Sequence, residues 1–522
     1  MIIDEFEFQK ITSEPELVNR FLLEHKKTVA FCPKTERWKN FNGIGWEKSP
    51  KKLPQQTTKL RKTLEGYFNE FLPQLDSKQQ QKFHKFITSF KSARGAKKIL
   101  DTVSTHVEVQ VPEDKFNNNP ELLVVANGTI DLKTGTLRDS KPEEYMTTMA
   151  STKYDPSKSC PNFQVFLDEI SNNSLELKNY ILSILGYCLT GLTKEQDIYV
   201  FYGMGANGKT LLIEVIRDIL GDLFVVNINS RSLMRNKLTL REDIARVSGA
   251  RIITCSEINE GETMDESLVK SLTGGDKITG RPLFSNSFEF KNTGKIITST
   301  NFLFEIKGVD YGIYRRLKII PFSATFKGDN DNKNLKAILL EENEGILALL
   351  VEHAIKYVQN GTIEVPEEVK ITTDNYIKSS NSGKMFYQDC VTSTKERKLW
   401  LSLRQMYESY DKYCEDNCLK KLSPRELTTV LKTLGAKQKK IDKNRYWENL
   451  TINSTSSITN PTSSIITFSS EAITTSEKET SDSQKENENN ESEPDNASDP
   501  VGDSNDAHGL DSETDQQANL TA

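Results

Sequence analysis

Long apolar runs are missing from this 522-residue chain. Nowhere do about 18 consecutive apolar residues occur, the length a helix needs to cross a bilayer. The first residues also lack the basic-then-apolar order of a secretory signal. No membrane partner is expected, and the chain reads as soluble and cytoplasmic. Histidine is scarce, and none of His25, His84, His106, His353 and His508 forms a His-x-His pair, which argues against an attached rolling-circle nuclease. The seven cysteines are scattered, as reduced thiols are. Cys414 and Cys418 lie four apart with no histidine nearby, so a zinc site is not expected. The acidic string at 329–334 mimics a calcium loop, but Asn334 and Leu340 stand at its sixth and twelfth positions, where glycine and glutamate are required.

Charge is short on one side only. Residues 451–522 hold 15 Asp and Glu against two lysines, a net of −13, so a total of −6 leaves +7 on residues 1–450. A mildly basic body with an acidic tail is compatible with a nucleic-acid partner, and equally with many neutral enzymes. Beyond Phe468 the tail has almost no large apolar residues. It cannot bury enough surface to offset its ordering entropy, so disorder is expected.

What is present is a phosphate-binding loop. Residues 203–210 read GMGANGKT, the pattern G-x-x-x-x-G-K-[ST]. Gly203, Gly205 and Gly208 let the backbone of Met204, Ala206 and Asn207 curl so that N–H groups point at one phosphate chain. Lys209 reaches the outer phosphate oxygens, and the Thr210 hydroxyl takes a magnesium position. The apolar run IYVFY precedes the loop and a helical pattern follows over 211–220. Strand, loop and helix in that order place an anion at the positive end of a helix dipole. ATP and Mg2+ are the expected cofactors.

Further motifs follow in order. An apolar strand, RIITCS, ends in Glu257, 48 residues past Lys209. An acid there holds the magnesium shell or activates water. A second strand, KIITST, ends in Asn301, 44 residues after Glu257, where an amide can orient water. Arg315 and Arg316 then precede the strand LKIIPF. Arginine suits a transferring phosphoryl group, and in a ring it would complete a neighbour's site. Either could serve, and Arg316 is preferred. Between acid and amide, two glycines and alternating basic and apolar residues suggest a hairpin presenting Lys277 and Arg281 to a phosphate backbone.

The remaining chain divides by pattern. Residues 1–115 read as an α+β domain in which Trp38 and Trp46 flank a hairpin. Those rings could stack on bases, but a place in the core is favoured. Residues 116–194 read as a helical domain preceding the ATPase core of 195–325, with an Asn127-Gly128 turn near its start. A helical extension covers 326–378, and residues 379–383 (SSNSG) look like a linker. Residues 385–450 form a compact domain in which SPRE at 423–426 caps a helix. A short basic hairpin follows, with Lys439, Lys440 and Arg445, completing a helix–turn–helix–wing order. The tail occupies 451–522.

The order GMGANGKT, SEIN, LVKSLTGGDKITGR, STN and YRRLKIIPF resembles superfamily 3 helicases. In particular it is similar to the phage and plasmid primase-helicase family related to the poxvirus primase-helicase. NGTIDLKTG, the Cys160-Pro161 segment and GYCLTGLTKEQDIYVFYG resemble that family's domain upstream of the helicase, and 385–450 resembles its winged helix. The resemblance implies an α/β fold, with an AAA+-like P-loop NTPase core, a helical domain before it, a C-terminal winged-helix domain and a disordered acidic tail. It implies ATP-dependent 3′-to-5′ movement of a homo-hexamer on single-stranded DNA, in replication of a phage, plasmid or other mobile element and so in the host cytoplasm. Lys209 and Thr210 take the Walker A roles, Glu257 the Walker B acid, Asn301 the sensor, and Arg316 or Arg315 the arginine finger. Lys277 and Arg281 fall in the DNA-contacting region, and the winged helix would take duplex origin DNA. Two departures stand out. Ser256 takes a place that is often a second acid, and Ser285 a place where a basic residue is common. The first 115 residues look too short for a primase polymerase domain, which leaves room for a separate primase as partner. The alternative is an ATP-driven loader or origin-remodelling protein that binds DNA without processive unwinding.

Overall fold

The computed structural model describes residues 3–452 except 49–53, 236–240, 257, 282–286, 307–310, 327–331, 381, 397–398, 418, 420 and 442–443. The acidic segment expected to be disordered lies outside the described residues from 453 onward. All that follows concerns the compact unit Met1–Thr455.

The N-terminal part packs five helices around a three-stranded antiparallel sheet, Val29–Cys32, Arg37–Phe41 and Trp46–Lys48. Local chemistry sets the helix starts. Asp4, Ser13, Asp76 and Ser92 each accept a backbone N–H of the first turn, and Asp76 closes a capping box with Gln79. Trp38 and Trp46 are both buried, and the Trp46 indole donates to Pro142 O at 2.8 Å. The core use of these rings holds, and neither is placed to stack on a base.

The stretch 116–194, read as a helical domain with an Asn127-Gly128 turn between two strand-like runs near its start, opens with a second antiparallel sheet, Leu122–Val125, Gly128–Asp131 and Thr136–Arg138. Asn127 stabilises its turn through Tyr154, whose N–H donates to Asn127 Oδ1 at 2.9 Å. Helices Pro161–Ile170 and Leu175–Leu189 come only afterwards.

Five parallel strands form the centre: Leu317–Pro321, Ile198–Tyr202, Lys295–Thr300, Ile252–Ser256 and Val225–Ile228 in spatial order. Numbered along the chain, that order is 5-1-4-3-2. The strands read as continuous apolar runs because both sheet faces are covered. Tyr199, Phe201, Ile297 and Ile320 enter one apolar cluster, while Ile198, Val200, Ile296 and Ile319 enter the other. The first cluster runs from Leu123 to Val369 in sequence and joins segments from 116–194, 195–325 and 326–378. Boundaries at 194 and 325 therefore do not part separate cores. Helix Leu175–Leu189 meets Asn343–Asn360 so closely that a Cβ on Gly186 would come within 2.7 Å of Ala354 N and His353 C.

A separate apolar cluster organises the C-terminal part around Phe386, Met406, Tyr410, Leu431 and Trp447. Its helices are Ser382–Cys390, Leu403–Asp416 and Pro424–Thr433, followed by the hairpin Gln438–Ile441 and Asn444–Trp447. Ser423 and Glu426 form a capping box. The linker expected at 379–383 is shorter than its composition suggests. Ser382 and Gly383 are buried in the first turn of a helix, and the Ser382 hydroxyl lies 2.7 Å from the Tyr410 hydroxyl.

Candidate nucleotide-binding site

Strand Ile198–Tyr202 ends in the glycine-rich loop, and helix Lys209–Leu220 starts from it. Gly208 holds φ +81° at the helix N-cap, and a Cβ there would meet Ile170 Cγ2 at 2.7 Å, so glycine is required twice over. The neighbouring strand exit clamps the loop. Phe322 N–H donates to Tyr202 O (2.7 Å), Asn207 Nδ2 to Phe322 O (3.1 Å) and Phe326 N–H to Ala206 O (2.7 Å).

Lys209 Nζ donates to Gly203 O and Asn207 Oδ1 at 2.7 Å each, and to Asn301 Oδ1 at 3.2 Å. All three acceptors are neutral oxygens. Burial pushes the lysine down to about 8, because its charge has lost water and these contacts do not replace it fully. The site is primed for an anion. Asn301 leaves the end of Lys295–Thr300 and also accepts from Gly205 N–H at 3.4 Å. Thr210 is exposed in the first helical turn.

These groups open on a cavity of about 760 Å³. Lys209, Thr210, Asn301, Phe166, Glu260 and Phe326 are among its lining residues. The loop, an amine between neutral acceptors and the N-terminus of a helix of 12 residues suit a polyphosphate. The aromatic walls suit the base or sugar of a nucleotide. Phe166, Phe326 and Glu260 were not singled out in the sequence. Phe166 follows the apolar pattern of a core helix and gives no signal of its own. Glu260 stands three residues after Glu257, and an acid that close to a strand end is a usable hint. Glu257 itself lies outside the described residues; its strand ends at Ser256, and Ile258 is among the residues that line the cavity.

The arginines stand elsewhere. Leu317 pairs with Ile198 and Pro321 with Tyr202, so Arg315 and Arg316 lie at the strand ends opposite the phosphate loop. That separation is a strand's length, on the order of 15 Å. Arg316, the preferred finger, is 8% exposed and donates to Thr273 Oγ1 at 3.0 Å and to Gly312 O. Arg316 is thus held by its own chain, and Arg315 is the more accessible of the two. Arg315 is exposed and donates to Gln196 Oε1 at 2.7 Å.

The expected DNA contacts occupy other surfaces. Gly275, with φ +80°, caps helix Glu266–Gly274 rather than turning a hairpin. The hairpin is Lys277–Gly280 with Phe288–Lys291, so exposed Lys277 stands at its base opposite Lys291. Exposed Arg281 follows the strand Lys277–Gly280, and residues 282–286, Ser285 included, lie outside the described residues. Lys440 and Arg445 pair across the C-terminal hairpin and are exposed. Exposed Lys439 lies 3.7 Å from the Glu448 carboxylate.

The family model for D5 N terminal like domains matches residues 18–172, and a family of unknown function, DUF5906, matches 201–316. The protein named "Putative helicase L207/L206" of Acanthamoeba polyphaga mimivirus is 29% identical over 325 residues, covering 58% of this chain and 34% of that protein. Primase D5 of Fowlpox virus (strain NVSL) is 26% identical over 244 residues, 44% of this chain and 29% of that protein. The solved apo C-terminal region of NrS-1 (305–718) aligns over 83% of this chain and 99% of its own, with 11% identity and a TM-score of 0.48. The chain spans about a third of the length of the curated relatives it matches. Two domain models matched in order, together with relatives of this kind, support a D5-type primase-helicase family for this chain.

Proposed function

We propose that the chain is the motor of an ATP-dependent superfamily 3 DNA helicase with an AAA+-like core. One observation carries the reading: Lys209 is held by Gly203, Asn207 and Asn301 at the mouth of a nucleotide-sized cavity. Sheet order 5-1-4-3-2 supports the AAA+ comparison.

In this reading the loop N–H groups and Lys209 bind the phosphate chain, and Asn301 orients the attacking water. Glu257 accepts that water's proton as the bond to the γ-phosphorus forms and the β–γ bridging bond breaks, leaving ADP and phosphate. Thr210 with Glu257 would hold magnesium, which neutralises charge on the phosphate oxygens. Arg315 serves a neighbouring copy, because it lies at the far end of the sheet from its own loop. A homo-hexameric ring gives each site such a neighbour. Lys277 and Arg281 contact single-stranded DNA, movement is 3′-to-5′, and Lys439, Lys440 and Arg445 on a winged-helix-like hairpin contact duplex.

The test is strand displacement from a tailed duplex. Wild type should displace the strand with ATP and magnesium, and Lys209→Ala should not. DNA-stimulated hydrolysis without displacement would instead identify a loader.

A further inference from the structure

The N-terminal helices carry a charge feature that the nucleotide site does not use. Residues 77–100 contain seven basic residues and no aspartate or glutamate. They fold as helices Ser77–Lys91 and Ala93–Ser104, joined through Ser92. On the first helix Lys78, Lys82 and Lys85 recur at i, i+4 and i+7, a single stripe. Gln79, Phe83, Ile87 and Phe90 fill the buried face. On the second, Arg94 and Lys97 lie away from buried Ala96, Ile99, Leu100 and Val103. All five cations, and Lys91 between the helices, are exposed. Lys98 pairs with Glu14. Among the described residues, the other six have no carboxylate within ion-pair distance.

Six unpaired cations over two short helices repel one another, and a core does not need them. An extended polyanion relieves that repulsion and gains entropy by releasing counterions. Lys78 to Lys85 spans about 10 Å at 1.5 Å per residue, roughly three phosphates of one strand at 3.4 Å each. Asp76 caps the first helix and Asp101 follows the cluster, so acids bound it without interrupting it.

We propose that helices Ser77–Lys91 and Ala93–Ser104 form a DNA-binding surface that grips the phosphate backbone without reading sequence. This surface is distinct from the hairpins at Lys277 and Lys440 and does not depend on the nucleotide reading.

The test uses the full chain without nucleotide, a labelled poly-dT strand and a mixed-sequence duplex, titrated across salt. The combined Lys78→Ala, Lys82→Ala and Lys85→Ala protein should bind at least tenfold more weakly. Its log–log salt slope should be shallower by about 2 on the single strand and about 2.7 on the duplex. Arginine at all three positions should restore both, and stronger loss on one probe tells which form of DNA the surface holds. Unchanged affinity and slope on both probes overturn the proposal. So does an increase in affinity, which would mean that the stripe holds an acidic protein segment. ATP hydrolysis, measured with and without DNA, serves as a separate readout: its absence in wild type under both conditions contradicts the motor reading and leaves the binding result standing.

Discussion

Two adjacent arginines show how far a residue's identity differs from its role. Arg315→Ala should lower kcat for ATP by about 10³-fold or more with KM nearly unchanged, because the residue acts on developing charge. Arg316→Ala should instead destabilise the fold by about 2–3 kcal/mol, since buried acceptors such as Thr273 and Gly312 lose a charged donor. Thermal melts and steady-state kinetics on both variants separate the two effects. The sequence shows both arginines but not which is buried, because that depends on a helix more than 40 residues away. The proposed phosphate loop differs: eight adjacent residues carry its whole pattern, so the pattern itself can be read without knowing the fold. Lys209 adds a pH dependence. Burial lowers its free-site value to about 8, and a bound polyanion favours the charged amine. Below pH 8 the amine is already protonated; above it, binding must take up a proton. Nucleotide affinity should therefore hold from pH 7 to 8 and fall up to tenfold by pH 9, as read by calorimetric titration. A flat profile over that range would show that the lysine is not neutralised in the free site.

Among elements, chain-local signals were reliable and punctuation was ambiguous. Strands around the site were readable from their apolar runs. The Gly274-Gly275 pair suits a turn or a helix C-cap equally in sequence, and it is the start of Lys277–Gly280 so soon afterwards that decides for the cap. SSNSG reads as a linker by composition, yet Ser382 and Gly383 pack in a helix because Tyr410 and Leu427 approach them from later in the chain. The contact between Leu175–Leu189 and Asn343–Asn360 is similarly invisible, since its partners lie more than 150 residues apart. Gly186→Ala should force those helices apart and cost about 1–3 kcal/mol. Chemical denaturation gives the value, and an unchanged midpoint would contradict the packing described.

For the whole molecule, the sheet, the helices on both its faces and the loop clamp form one body that supports half of each proposed catalytic site. Own-chain Lys209 and Arg315 lie at opposite ends of the strands. Neither the shared core nor this separation was legible as geometry in the sequence, although the motif order was. The central claim is that one copy's loop works with the next copy's Arg315. Co-expressed Lys209→Ala and Arg315→Ala chains test it most directly. Each variant alone should fail to hydrolyse ATP, while the mixed assembly should recover hydrolysis at interfaces that join an intact loop to an intact arginine. A mixture as inactive as its components, at confirmed co-assembly, would contradict the account.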